Sequence, residues 1–123
     1  MTASPRGEVL RTADADDPVV DDLAARGFTV GRIDAGDRRT TLVAIGRALR
    51  FPDYYRPNLD ALWDCLTDLT RPTALVWTGW EDVAVGHPDD WAGLMGVLVD
   101  RVELDPPFTL VLAGRTESRA GSD

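Results

Sequence analysis

The sequence predicts an α/β fold in which a small, three-stranded parallel sheet packs against helices. Two observations support this prediction. Short apolar runs bounded by Gly or Pro alternate along the chain with segments whose apolar residues recur at helical spacing. The run after Pro72 is apolar at most positions, as expected for a strand that is covered on both faces. Strands that alternate with helices build βαβ units, and these units form parallel sheets.

One helix is predicted before the first strand. It begins at Asp17, directly before Pro18, and Gly27 ends it. Its apolar residues are Val19, Val20, Leu23 and Ala24. Residues 1–16 are mostly small, polar or acidic around one Val-Leu pair, so we expect a loosely ordered or edge-strand segment there.

The first predicted strand is followed by a second helix. Residues 28–33 alternate between apolar and polar side chains, and residues 34–37 make a turn. Thr40 or Thr41 can then act as the N-cap of the helix, which ends before Pro52. Its apolar residues follow helical spacing: Leu42, Val43, Ile45 and Leu49.

A third helix, with Asn58 as its N-cap, follows a loop over residues 52–57. Its apolar residues fall within one quadrant: Leu59, Leu62, Leu66 and Leu69. Asp60, Asp64 and Asp68 line the opposite side. Like charges four residues apart repel by about a few tenths of a kcal/mol per pair, so this acidic side has no folding rationale. It indicates a surface that binds a basic partner.

The second and third strands flank one more helix. Residues 73–78 and 108–112 form the two apolar runs. Pro88 opens the helix between them, and a double proline before the last strand ends it. Its inward-facing residues are Trp91, Leu94, Met95, Leu98 and Val102. Residues 115–123 are small and polar, and we expect a flexible tail there.

The composition restricts the class of protein. A chain of 123 residues with 44% hydrophobic content can bury one core without disulfides or metals. Its net charge of −8 opposes binding to nucleic acid or to an anionic membrane, and favours a basic protein as partner. The first eight residues contain no apolar signal region, and no uncharged apolar run approaches the roughly 18 residues of a membrane helix. We therefore expect a cytoplasmic protein.

The acidic side also allows a catalytic interpretation. Asp60 and Asp64 could act as general acid and base, or as two metal ligands, because they share one side of a helix. The chain has one histidine, no Cys/His cluster, no phosphate-binding glycine motif and no Gly-x-Ser-x-Gly element. We therefore predict a protein that is not an enzyme and that binds no cofactor or metal. Cys65, the only cysteine, is expected to be buried and reduced.

Another alternative is that the acidic side is simply solvated. Asp68 opposes this interpretation, because the dipole at the end of a helix disfavours an anion by about 0.3–1 kcal/mol. The nearby Trp63 is either a core residue or a contact residue. Tyr54 and Tyr55 either hold the loop on the helix or leave one ring exposed for contact. His87 is expected to be a turn or capping residue.

The segment from Pro52 to Thr67 resembles a known signature. It contains Tyr-Tyr-x-x-Asn-Leu-Asp-Ala-Leu-Trp-Asp-Cys-Leu and is similar to the signature of the barstar family, the intracellular inhibitors of secreted guanyl-preferring ribonucleases. A weaker resemblance in order and pattern implies a barstar-like domain over residues 28–114. Residues 1–27 would then form an N-terminal extension with room for one short helix.

Two departures from the family pattern adjoin the signature. Family members often have Gly after the second tyrosine, where this chain has Arg56 and then Pro57. After the signature the family often has Gly and Trp, where this chain has Asp68 and Leu69. The loop before the acidic helix and the far end of the contact surface can therefore differ in shape.

The resemblance implies which side chains contact the partner. Asp64 would be the central contact residue. The residues around it would be Tyr54, Asp60, Trp63, Asp68 and Asp100. Asp100 is identified by counting back from the last strand, and Glu103 and Asp105 are the alternatives.

The implied partner is a basic secreted ribonuclease or a ribonuclease toxin domain. RNA is a polyanion, so the cleft that binds it must hold Arg, Lys and His side chains, and an inhibitor can present carboxylates where phosphates would lie. The chain would then act as a ribonuclease inhibitor, that is, an immunity protein or antitoxin, and would be a monomer when free. Two other functions stay open: a barstar-like interaction module that binds another basic protein without inhibiting a ribonuclease, and a small acidic hydrolase.

Overall fold

Between successive strands lie one or two helices in a computed structural model that describes residues 7–13 and 18–114. In chain order the elements are β1 (Val9–Thr12), α1 (Pro18–Ala25), β2 (Thr29–Asp34), α2 (Arg38–Ala48), α3 (Leu59–Thr67), β3 (Thr73–Thr78), α4 (Trp80–Gly86), α5 (Pro88–Val102) and β4 (Phe108–Ala113). The helix start predicted at Asp17 and the tail predicted over residues 115–123 lie outside the described residues. Of the helices described, none combines the length and the apolar character that crossing a membrane requires.

The strands form a parallel sheet in the order β1-β4-β3-β2. Each of the three pairs is parallel, with Val9 opposite Leu110 at one edge and Thr29 opposite Thr73 at the other. The predicted α/β class is therefore confirmed. The sheet has four strands instead of three, because the Val-Leu pair of the N-terminal segment adds β1 to the free edge of β4. The N–H of Leu110 donates to the Glu8 carbonyl oxygen at 2.9 Å in this pairing.

Both faces of the sheet are covered by helices, as the apolar character of β3 and β4 predicts. One face packs against α1 in a small core of Val20, Leu23, Phe28, Ala74, Val76, Val111 and Ala113. The opposite face packs against the other four helices in the main core, whose largest strand residues are Leu75, Trp77, Phe108, Leu110 and Leu112. Successive residues of a strand point to opposite faces, so the two cores share the same two central strands.

The start of α2 differs from the prediction. Asp37, not Thr40 or Thr41, is the N-cap, and its side chain accepts a hydrogen bond from the Thr40 N–H at 2.8 Å. That hydrogen bond lowers the pKa of the Asp37 carboxyl group. The prediction was wrong because Asp37, three residues before Thr40, accepts a hydrogen bond from one of the free N–H groups at the helix start. The helix therefore begins earlier, at Arg38.

A short helix that the sequence did not predict, α4, connects β3 to α5. It follows Gly79, whose φ of +88° places it in the left-handed region that favours glycine. Val83 is its buried residue. His87 ends α4 and is the N-cap position of α5, which confirms its predicted location in a turn or cap, although its side chain makes no capping hydrogen bond.

Candidate functional site

Helix α3 is fixed at its start and along one side. The Asn58 side-chain oxygen accepts a hydrogen bond from the Ala61 N–H at 2.7 Å, which confirms Asn58 as the N-cap. Leu62 and Leu66 are fully buried in the main core, and Cys65 is buried as a free thiol whose pKa is raised by burial. The opposite side of the helix therefore faces solvent, while the buried side holds the helix on the core.

That solvent-exposed side bears Asp60, Asp64 and Asp68, which together we call the acidic face. All three side chains are exposed. In the part of the chain that the structure describes, none of them forms an ion pair with an arginine. Such carboxylates can accept charge-assisted hydrogen bonds from a cation on another molecule.

The end of the acidic face coincides with the end of the helix. Asp68 is the C-cap of α3, and its N–H donates to the carbonyl oxygens of Asp64 and Cys65, both at 3.2 Å. The helix dipole disfavours a carboxylate at this position by about 0.3–1 kcal/mol. No described residue forms an ion pair with Asp68 that would offset this unfavourable placement.

A buried arginine lies behind the end of α3. Arg101, in the last turn of α5, is fully buried and donates from Nε to the Leu66 carbonyl oxygen at 2.7 Å and from Nη1 to the Leu104 carbonyl oxygen at 3.2 Å. Its Nη2 atom is buried without a partner, and burial lowers the pKa of the guanidinium. Sequence reasoning missed this residue, although its position seven residues after Leu94 places it on the buried side of α5.

Asp100 precedes this arginine and is exposed at the end of α5. Because Arg101 bonds to the last turn of α3, Asp100 lies on a helix end that is held directly against α3. Its two alternatives, Glu103 and Asp105, are also exposed, at the C-cap of α5 and in the segment that follows. The assignment of Asp100 as a contact residue stays a prediction.

The two tyrosines before α3 have different environments. Tyr55 donates from its hydroxyl to the Leu42 carbonyl oxygen at 2.8 Å, and its ring meets the edge of Phe51 at a centroid distance of 4.9 Å. Burial raises the pKa of Tyr55 to about 12. Tyr54 is 70% exposed. Tyr55 therefore holds the loop on α2, and Tyr54 is left available for contact with another molecule.

Trp63 is half-buried on α3, between the core and the solvent. Part of the ring is therefore accessible, and a role of Trp63 as a contact residue stays a prediction. The site as a whole combines an acidic face with two accessible aromatic rings, those of Tyr54 and Trp63. Among the described residues, no group of three or more His, Cys, Asp or Glu side chains is arranged to hold a metal ion.

Comparison with known proteins adds two findings. The family model described as "Barstar (barnase inhibitor)" matches residues 28–113, which is more than half of the chain. A Bacillus subtilis (strain 168) protein named "Putative ribonuclease inhibitor YrdF" is 59% identical over 34 residues. That match spans 27% of this chain and 37% of the relative's length.

Proposed function

The chain belongs to the barstar family, and from this premise we propose that it inhibits a basic, guanyl-preferring ribonuclease of the barnase type by blocking its active site. The resemblance seen in the sequence is thereby confirmed. Family membership points to an inhibitor of ribonucleases rather than to an enzyme, and the name of the partly matching relative agrees with it.

The observation that supports the proposed mechanism best is the exposed acidic face, on a helix packed against the core, with which no described arginine forms an ion pair. A ribonuclease must bind phosphates with cationic side chains, and Arg and Lys bind carboxylates in the same way. Asp64, in the middle of the acidic face, is the proposed central contact, with Asp60 and Asp68 on either side. Tyr54 and Trp63 would add apolar contacts, and Asp100 would contact the partner from α5.

The consequence for binding energy follows from desolvation. When Asp64 is removed, the partner's cations stay buried in the interface but lose their counter-charge. Removing one member of a buried, hydrogen-bonded charge pair typically costs about 2–5 kcal/mol. The Asp64→Asn substitution keeps the size of the side chain, so it isolates the effect of the charge.

An RNA-cleavage assay with purified barnase tests the proposal. The wild-type protein should stop cleavage at close to equimolar concentration, and Asp64→Asn should require a concentration higher by about 30-fold or more. Asp89→Asn is a matched control, because Asp89 is exposed in the first turn of α5, outside the proposed contacts. Failure of the wild-type protein to inhibit barnase, or equal inhibition by Asp64→Asn, would refute the proposal.

An alternative is a barstar-like module that binds another basic protein without inhibiting a ribonuclease. The observation that favours it is the exposed Arg56 in the loop before α3, at a position where the family often has Gly. Binding to barnase without loss of RNA cleavage would support this alternative.

For either function we propose that residues 28–114 form the barstar-like domain and that residues 1–27 are an extension of it. We also propose that the free protein is a cytoplasmic monomer.

A further inference from the structure

A groove of about 310 Å³ separates α2 from the loop that leads into α3. Its apolar lining comes mainly from Val43, Phe51, Tyr55 and Pro57, and two arginines, Arg47 and Arg50, line it as well. We call it the arginine groove. One of its walls is therefore the loop that bears the exposed ring of Tyr54, so the arginine groove is continuous with the proposed contact surface.

Arg50 has a backbone conformation in which glycine is the usual residue. Its φ is +58°, in the left-handed region, directly after the end of α2. The N–H of Phe51 donates back to the Gly46 carbonyl oxygen at 2.9 Å, which is the hydrogen bond of a Schellman-type helix end. Glycine is the usual residue at this position because a Cβ atom is strained there. An arginine at such a position suggests a role other than folding.

The charges of the arginine groove are not used within the described fold. The chain has 21 acidic and 13 basic residues, yet neither Arg47 nor Arg50 forms an ion pair with a described carboxylate. Two further surface depressions share lining residues with the arginine groove: one is lined by Arg32, Arg39 and Arg47 together with one acid, Asp34, and the other by Arg50 and Arg71. An acidic protein therefore presents a basic region next to its acidic face.

These arginines would repel a partner that is uniformly basic. We propose that the arginine groove receives a carboxylate-bearing, partly apolar segment at the rim of the ribonuclease cleft, beside the basic site that the acidic face would occupy. The occupant follows from charge complementarity and from continuity with the loop before α3. The inference rests on the proposed function and extends it, because it requires the partner to present both signs of charge and so excludes ribonucleases without an acidic rim.

Dissociation of the barnase complex, measured by surface plasmon resonance, tests the inference. Arg50→Gly and Arg47→Gln should each increase the dissociation rate by about tenfold, because a desolvated carboxylate would lose its partner. Arg50→Gly should also leave the thermal midpoint unchanged or raise it, since glycine relieves the strain at this φ. A faster dissociation together with an equal or higher midpoint separates a lost contact from a damaged fold.

Arg38→Gln is the matched control, because Arg38 is exposed on the same helix and does not line the arginine groove. Loss of a repulsive positive charge should leave its dissociation rate unchanged or lower it. If Arg50→Gly and Arg47→Gln behave like this control while Asp64→Asn weakens binding, the inference about the arginine groove fails and the proposed function stands. If the wild-type protein does not bind barnase, the proposed function fails and the inference fails with it.

Discussion

The Nε–H of Arg101 donates to the Leu66 carbonyl oxygen at 2.7 Å, so the last turn of the acidic helix meets a buried guanidinium from α5. A cation at the carboxyl end of a helix interacts favourably with the helix dipole. Burial opposes this gain, because a charged group loses its hydration. The contact therefore connects α3 to α5, but it carries a desolvation cost. That cost in free energy is larger for each guanidinium donor that is buried without a partner, and Nη2 is one such donor.

Lysine should be a worse replacement for Arg101 than methionine. Arg101→Lys keeps a buried charge but cannot reproduce both hydrogen bonds, to Leu66 and to Leu104, and we expect it to lower the free energy of unfolding by about 2–3 kcal/mol. Arg101→Met removes the charge together with its bonds and should cost about 1–2 kcal/mol. Urea unfolding at neutral pH measures both values. A methionine variant less stable than the lysine variant would contradict the assignment of a costly buried charge.

The association rate with barnase should decrease as salt is added. On the proposed function the acidic face would attract a basic partner at long range, and ions screen such an attraction over about 10 Å at 0.1 M salt and about 3 Å at 1 M. Stopped-flow measurements across that range should show a steeper decrease for the wild-type protein than for Asp64→Asn. Equal salt dependence in the two proteins would show that Asp64 does not contribute to the attraction.

A methyl group at Gly46 should destabilise the fold. A Cβ atom there would lie 2.6 Å from Cε2 of Tyr55, and the ring is held by its hydroxyl bond to Leu42. We expect Gly46→Ala to lower the free energy of unfolding by about 1–3 kcal/mol because the crowded ring must move. Gly96→Ala in α5 is the control: a Cβ atom there meets nothing within 4 Å, so the substitution should stabilise by about 0.5–1 kcal/mol. Two changes of the same sign would contradict the packing of Tyr55 on Gly46.

The free energy of unfolding should decrease at high pH because Tyr55 is harder to ionise in the folded protein than in the unfolded one. Burial raises the pKa of Tyr55 to about 12 in the folded protein, whereas an unfolded tyrosine has a pKa near 10. The neutral hydroxyl is thus favoured by folding, so its contribution is complete below about pH 10 and is lost as the pH rises towards 12.

The Tyr55→Phe variant provides the comparison for this pH dependence. It should be less stable at neutral pH by about 1 kcal/mol, because the bond to Leu42 is lost. Its stability should decrease less steeply than that of the wild-type protein between about pH 10 and 12, as measured by urea unfolding at each pH. If the stability of both proteins decreases equally steeply between about pH 10 and 12, groups other than Tyr55 cause the pH dependence.

The elements that were predicted correctly are those whose signals are local. Asn58 caps α3 through its own side chain. Residues 73–78 form a strand that is buried at nearly every position, as their almost continuous apolar character predicts. β1 could not be assigned with the same certainty, since a strand of four residues forms through pairing with β4, about 100 residues later. α4 was missed because seven residues with glycine at both ends give little helical periodicity.

Two other features were not predicted, each for a different reason. Arg101 was missed because arginine is seldom fully buried, so its place on the inner side of α5 was not given weight. The arginine groove depends on the packing of Tyr55 against Gly46, which brings the loop of residues 52–57 onto α2. The pattern of charges on α3, by contrast, was visible in the sequence because helical spacing alone determines it.

The pairing of β1 with β4 and the packing of α1 have a consequence for shortened forms of the protein. Residues matched by the family begin at 28, after both elements. A chain cut at that point would leave Ala74, Val76 and Val111 without the cover of α1, and would leave the outer backbone groups of β4 without a neighbouring strand. An uncovered apolar sheet with an open edge recruits strands from other molecules. β1 and α1 thus protect the rest of the described fold from aggregation.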